Sequence, residues 1–393
     1  MTAEPATLPH AVVPPWRNLR VLRFVAQLAT LLVVLLVGGW LAANLVDNMR
    51  QSRLTFGFGF LDATAGFDIG ESLITYSATD TYLSAFVVGL SNTLAVSMIG
   101  IVLATILGVI TGVARLSRNW LVNRIAAAYV EVMRNTPLLV QLVLIYAVMI
   151  QLPSVANSIA LPGAIFLNQR GVSMPRPVAE PGFGPWLLLV TVGVTVTVLA
   201  HVFAGRREEA GRPAIGWRRV GWATLGLLVV GGWFVTGTPL GLDVPVQQRF
   251  NFVGGLTISP ELTALVVGLV IYTAAFIGEV VRGGIQSVRR GQIEAANSIG
   301  LSDMQTLRLV VFPQALRVIV PPLTSQYLNL AKNSSLAIAV GFADLFSVGK
   351  TMANQTGNPV SVIVLVMGTY LAISLSTSLA MNIYNRRVQV LER

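Results

Sequence analysis

Long apolar stretches alternate with short charged ones along the whole chain, and their length decides which solvent they face. Runs near residues 24–46, 83–114, 125–152, 186–204, 220–237, 261–281, 316–343 and 360–383 approach or exceed the roughly 20 residues that an α-helix needs to cross ~30 Å of hydrocarbon. The pattern predicts an all-α polytopic membrane protein with about eight transmembrane helices. In the third run Glu131, Arg134 and Pro137 break the apolar stretch into an interfacial lead-in and a short span. The first run follows Arg17, Arg20 and Arg23 as a signal peptide would. It exceeds the roughly 7 to 15 apolar residues of a secretory leader, so it reads as a retained first helix.

Composition agrees. Hydrophobic residues make up 54% of the 393 and charged residues only 11%, against about 25% charged in soluble domains. The formal net charge of +10 would suit a nucleic-acid partner, but the arginines cluster beside the apolar runs, which is the signature of membrane topology. With both termini in the cytoplasm, twenty of the 27 basic residues fall on inner segments and six on outer ones, leaving Lys332 within a span. Inverting the chain would reverse this bias. Absence of cysteine excludes disulfides and thiol chemistry, and His10 and His201 are too far apart to suggest a metal site. The outer loops 47–82, 153–185 and 238–260 are rich in Gly and Pro and read as surface structure, whereas residues 187–235 read as a helical hairpin around the charged GRREEAGRPAIGWRR. The arm at residues 1–18 reads as mobile.

Two features carry mechanism. Gly100, Ala104, Gly108 and Gly112 recur every four residues, placing small side chains on one helix face where another backbone can approach. The polar segment after the sixth run is too charged for lipid and lies on the inner side. There Glu294, Ala295 and Ala296 favour helix, Gly300 permits a turn, Ser302 can cap a second helix and Pro313 marks the next membrane entry. Helix, turn and helix are expected.

This segment resembles the EAA motif of ABC importer permeases: Glu294-Ala295-Ala296, then Gly300 and Leu301, then Val310-Val311-Phe312-Pro313, with Val310 and Phe312 standing where the family pattern has Ile and Leu. GLSNTLAVS from Gly89, VEVMRNTPLLVQL from Val130, AAFIGEVVRGG from Ala274 and LAKNSSLAIAVGFADL from Leu330 resemble the amino-acid branch, and over most of residues 83–387 the chain is similar to general L-amino-acid permeases. The resemblance implies a five-helix core, from 83–152 and 261–387, with the coupling loop at 283–315. The cytoplasmic arm 1–23, the extra first helix and loop 24–82, and the 153–260 insertion would be additions. It implies a bacterial plasma (inner) membrane location and an ATPase-docking role for Glu294, Ala295, Ala296, Gly300, Leu301 and Pro313. The implied partners are a cytoplasmic ABC ATPase dimer, a second permease subunit and an extracytoplasmic amino-acid-binding protein.

No cofactor is expected on this chain, and ATP belongs to the partner. The one near match to a phosphate loop, Gly349-Lys350-Thr351, has Asp344 where the first Gly should stand and no strand before it. Polar residues in spans are costly and tend to face a cavity or a partner. Lys332, with Asn333 and Ser334, suits a substrate carboxylate as well as it suits structural pairing. Glu279 reads first as the partner of Arg282 three residues on, and second as a site for an ammonium. Asn92, Thr93 and Gln141 are weaker path candidates that could equally bond between helices. An ion-coupled secondary amino-acid transporter is the alternative function, and the spans are poor in the acidic residues it would need.

Overall fold

The computed structural model describes residues 19–51 and 56–389, so the expected arm at 1–18 lies outside the described residues. Helix α1 (Leu19–Gln51) has no buried side chain. Helix α2 (Tyr82–Ala114) is capped by Thr81, whose hydroxyl accepts from the Ser84 amide. The third apolar run is broken at Thr136 and Pro137 into α3 (Trp120–Asn135) and α4 (Leu138–Ile150), which meet at 106°. Pro137 has no amide hydrogen and disfavours helix at the residue before it, which ends α3 there.

Between α4 and the second half of the core lie strands and a hairpin. Strands β1 (Ile159–Leu161), β2 (Ile165–Asn168), β3 (Gly171–Met174) and β4 (Arg176–Ala179) precede α5 (Phe183–Glu209) and α6 (Ile215–Val235). After the hairpin come β5 (Leu240–Asp243), β6 (Val246–Gln247), β7 (Phe252–Val253) and β8 (Leu256–Ile258). The antiparallel order β1-β2-β3-β8 forms one small sheet, while β4 pairs with β5 and β6 with β7. The loops at 153–185 and 238–260 thus hold short strands that an all-helical reading did not include. At two to four residues each, they are too short to display a period of two.

Helix α7 (Pro260–Gln286) re-enters the core. It is followed by α8 (Arg290–Ser298), α9 (Asp303–Thr306), a π-helical turn (Leu307–Val311) and α10 (Phe312–Asn333). A 3-10 turn (Ser334–Ala339), α11 (Leu345–Thr356) and α12 (Pro359–Gln389) complete the described chain. Among the described residues six helices are long and apolar enough to cross a membrane, or seven with the bent α3–α4 pair taken as one span. That is one fewer than the eight expected. The shortfall is α6, whose first turns contain Arg218 and Arg219.

The small-residue stripe packs inside the molecule. A β-carbon built at Gly108 would lie 2.5 Å from Ile277 Cγ2, and one at Gly112 would lie 2.7 Å from the Gly278 carbonyl oxygen. Only glycine lets the α2 and α7 backbones come this close. One core cluster joins α2, α7 and α10 through Ala104, Ala274, Ile277, Val281, Ala315 and Leu330. A second joins the loop before α2 to α2, α11 and α12 through Ala65, Phe86, Leu345, Met352 and Val366. In that loop Tyr76 donates from its hydroxyl to the Phe67 carbonyl. Burial first, then the nearby Asp80 and Asp68 charges, raises the pKa of that phenol and keeps it a donor.

Candidate functional site

The segment joining α7 to α10 folds as helix, turn and helix. Glu294 and Ala295 are exposed on α8, whereas Ala296 is buried against the body of the protein. Gly300, at φ +82°, ends α8. Its amide donates to the Asn297 carbonyl at 3.0 Å, and the Leu301 amide donates to the Ala296 carbonyl at 3.2 Å, the paired bonds of a Schellman turn. Ser302 then starts α9 with a reciprocal cap: its hydroxyl accepts from the Gln305 amide, while its own amide donates to Gln305 Oε1. Thr306 is buried and its hydroxyl contacts Asn297 Oδ1 at 3.3 Å, which ties α9 to α8.

From α9 the chain passes into α10 through the π-helical turn and Pro313 in the first turn of α10. Such turns recur at functional sites. The loop therefore has no slack: Ile293 and Leu307 pack on the core cluster of α2, α7 and α10 beside Val311 and Ala315. A force on α8 reaches α10 directly. Sequence reading missed Ile299 and Met304, which stand 78% and 71% exposed on either side of the turn. Their signal was present as large apolar residues in a segment too polar for lipid.

The path candidates fall into separate places. Glu279 on α7 pairs with Arg282, as expected, and also with Arg115 at the end of α2. These groups open on a polar pocket of about 380 Å³ lined by Glu131, Arg134, Asn135 and Phe276, with the Arg134 guanidinium 5.2 Å from the Phe276 ring centre. Gln141 donates both its amide hydrogens within the bend, to the Met133 and Thr136 carbonyls at 3.0 Å each. Asn92 likewise bridges the Glu71 and Ala343 carbonyls at 2.8 and 2.9 Å, and the Thr93 hydroxyl accepts from the Leu345 amide. Ser334 is fully buried and bonds to the Ala331 carbonyl. These four side chains hold backbone at bends and turns.

Lys332 is different. It is exposed at the end of α10, with Asn333 half-buried beside it, and lines a groove of about 470 Å³ with Ser335, Lys350, Val366, Met367 and Tyr370. Gly349, Lys350 and Thr351 lie within α11 and form no phosphate loop. Beneath the groove Asp344 is fully buried, which the sequence reading overlooked. Its two oxygens accept from the Ser347 amide at 2.9 Å and the Tyr370 hydroxyl at 3.1 Å.

Residues 100–390 match the family model described as binding-protein-dependent transport system inner membrane component. The chain is 44% identical over 370 residues to the general L-amino acid transport system permease protein AapQ of Rhizobium johnstonii, covering 92% of each chain. It is 44% identical over 370 residues to the putative amino-acid ABC transporter permease protein YhdX of Escherichia coli, covering 93% of this chain and 94% of that one. It is 40% identical over 398 residues to the glutamate/glutamine/aspartate/asparagine transport system permease protein BztB of Rhodobacter capsulatus, covering 93% of each.

Proposed function

The chain belongs to the binding-protein-dependent transport system inner membrane component family, and from that premise we propose that its α8–α9 loop is the dock for a cytoplasmic ATPase dimer. The chain is a multi-pass inner-membrane permease subunit of an ABC-type amino-acid importer. Permease subunits of such importers are not themselves catalytic, so ATP is hydrolysed on a separate subunit.

The observation that carries the docking reading is the exposed face made by Glu294, Ala295, Ile299 and Met304, backed by the buried Ala296 and Thr306 and coupled to α10 without slack. Small alanines allow close approach, the two large apolar side chains provide area to bury, and Glu294 supplies a polar contact at the rim. Closure of the ATPase would move α8 and α9, and through the π-helical turn would tilt α10 against α2 and α7. The core would consist of residues 83–152 and 261–387, with the loop and both termini on the cytoplasmic side. A second permease and an extracytoplasmic binding protein for L-amino acids complete the assembly. The Glu279 pocket presents both signs of charge, which fits a zwitterion, and the Lys332 groove is a second station on the path.

Glu294→Lys or Gly300→Pro should uncouple amino-acid uptake from ATP hydrolysis while the protein remains inserted in the membrane. Normal uptake together with normal capture of the ATPase in both variants would overturn the docking reading.

A further inference from the structure

The groove between the end of α10, α11 and α12 carries two ammonium groups and no acid among its lining residues. Lys332 and Lys350 are both exposed, and neither has an ion-pair or hydrogen-bond partner for its ammonium among the described residues. Asp344, the nearest buried acid in the sequence, directs its oxygens to Ser347 and Tyr370 instead.

Depth gives this arrangement its meaning. Leu330 packs on Gly100, which lies 18 residues into α2, roughly 27 Å along a helix about 50 Å long. Lys332, two residues beyond Leu330, is therefore near the middle of the span. Val348 packs on Gly89 and Gln355 bonds to the Tyr82 hydroxyl, so Lys350 lies within about 10 Å of the outer end of α2. The groove thus runs from near the outer surface to the midplane with a positive charge towards each end. An ammonium facing lipid at such depth costs about 2.5 to 3.5 kcal/mol on insertion scales. A water-filled path closed by a second permease removes that cost.

Resting on the reading of the chain as an amino-acid permease, we propose that Lys332 and Lys350 make this groove selective for amino acids with a carboxylate side chain. A zwitterion already brings one carboxylate and one ammonium, which two lysines attract and repel in near balance. A second carboxylate tips that balance. The apolar walls formed by Val362, Ile363, Val366 and Met367 offer no competing polar contact, and low polarity strengthens each charge interaction.

The test uses the complete complex, with second permease, ATPase and binding protein, reconstituted in proteoliposomes. ATP-driven uptake of labelled glutamate and of glutamine, its uncharged near-isostere, is measured side by side with one binding protein throughout. Lys350→Gln and Lys332→Gln should each lower the glutamate-to-glutamine ratio about tenfold, Lys350→Glu should lower it further, and Lys→Arg at either site should hold it within about twofold. An unchanged ratio in both Lys→Gln variants overturns the proposal, as does a wild-type complex that moves glutamine and not glutamate. Parallel loss of both substrates, with phosphate-containing lipid stripped from the purified variants, would assign the groove to a phospholipid instead. If a Lys332 variant fails to assemble, the Lys350 series decides alone, since that side chain is exposed near the end of the span. Absence of any ATP-driven amino-acid uptake by the wild-type complex would count against the permease reading, not the groove.

Discussion

Gly300 adopts φ +82° with no atom within 4 Å of where a β-carbon would stand, so any substitution there is opposed by its own backbone alone. An L-residue in this region costs about 1 to 2 kcal/mol, and Asn less than most. Gly300→Ala should therefore loosen the α8–α9 turn and reduce ATPase stimulation by amino-acid-loaded binding protein, while Gly300→Asn recovers most of it. Equal stimulation in Gly300→Ala and wild type would mean that the turn is not under this constraint. Gln141 makes the complementary case, in which a side chain serves the backbone. Gln141→Ala strands the Met133 and Thr136 carbonyls inside the bend, for a loss of about 1 to 3 kcal/mol that should appear as a lower melting temperature in detergent. The roles of Gly300 and Ser302 were legible because caps and turns are local chemistry. Those of Gln141 and Asn92 were not, since their acceptors are carbonyls set by a sharp bend and, for Ala343, by a segment far along the chain.

Among the elements, α2 shows what periodicity can and cannot reveal. The four-residue spacing of Gly100, Ala104, Gly108 and Gly112 announces a close contact, but its partners, α10 through Leu330 and α7 through Ile277 and Val281, are facts of tertiary structure. Gly108→Leu would drive a side chain into Ile277 Cγ2 and the Ala274 carbonyl, and overpacking of this kind costs about 1 to 3 kcal/mol or more. Gly205→Ala, in a helix with nothing within 4 Å, should be neutral or stabilise by up to about 1 kcal/mol through helix propensity. Comparing the two melting temperatures separates contact from propensity, and similar shifts would contradict the packing account. The span expected at 316–343 is present within the continuous helical segment Asp303–Ala339, but its last turns are 3-10 and not α-helical. The helix ends at Asn333, and α11 climbs beside the first half of α2, held by Thr93 at its start and Tyr82 near its end. A polar run such as Lys332-Asn333-Ser334-Ser335 signals an interruption but not where the chain goes next.

For the molecule as a whole, strand pairing constrains topology more tightly than helix length does. Strand β4 immediately precedes α5, β5 follows α6, and the two pair in register from Arg176 opposite Asp243 to Ala179 opposite Leu240. Both ends of the hairpin must then lie on one side, so if α5 crosses the bilayer, α6 crosses back despite Arg218 and Arg219. Aromatic groups bracket the pair at either end: Trp186 against Trp233, and Phe203 against Trp217. The 17 residues from Trp186 to Phe203 span roughly 26 Å, close to the hydrocarbon thickness between two interfacial belts. Because the chain has no cysteine, single introduced thiols report sidedness without background. Gln248→Cys should react with a membrane-impermeant maleimide added outside intact cells. Arg212→Cys in the hairpin turn and Gln292→Cys on α8 should react only after the inner face is opened. If α6 stayed on one side, Arg212 and Gln248 would label together, and if the arginine bias misassigned the orientation, all three patterns would invert. The parity argument predicts the relation between the first two sites, and the charge bias predicts which side each of them faces, so the experiment tests the two separately.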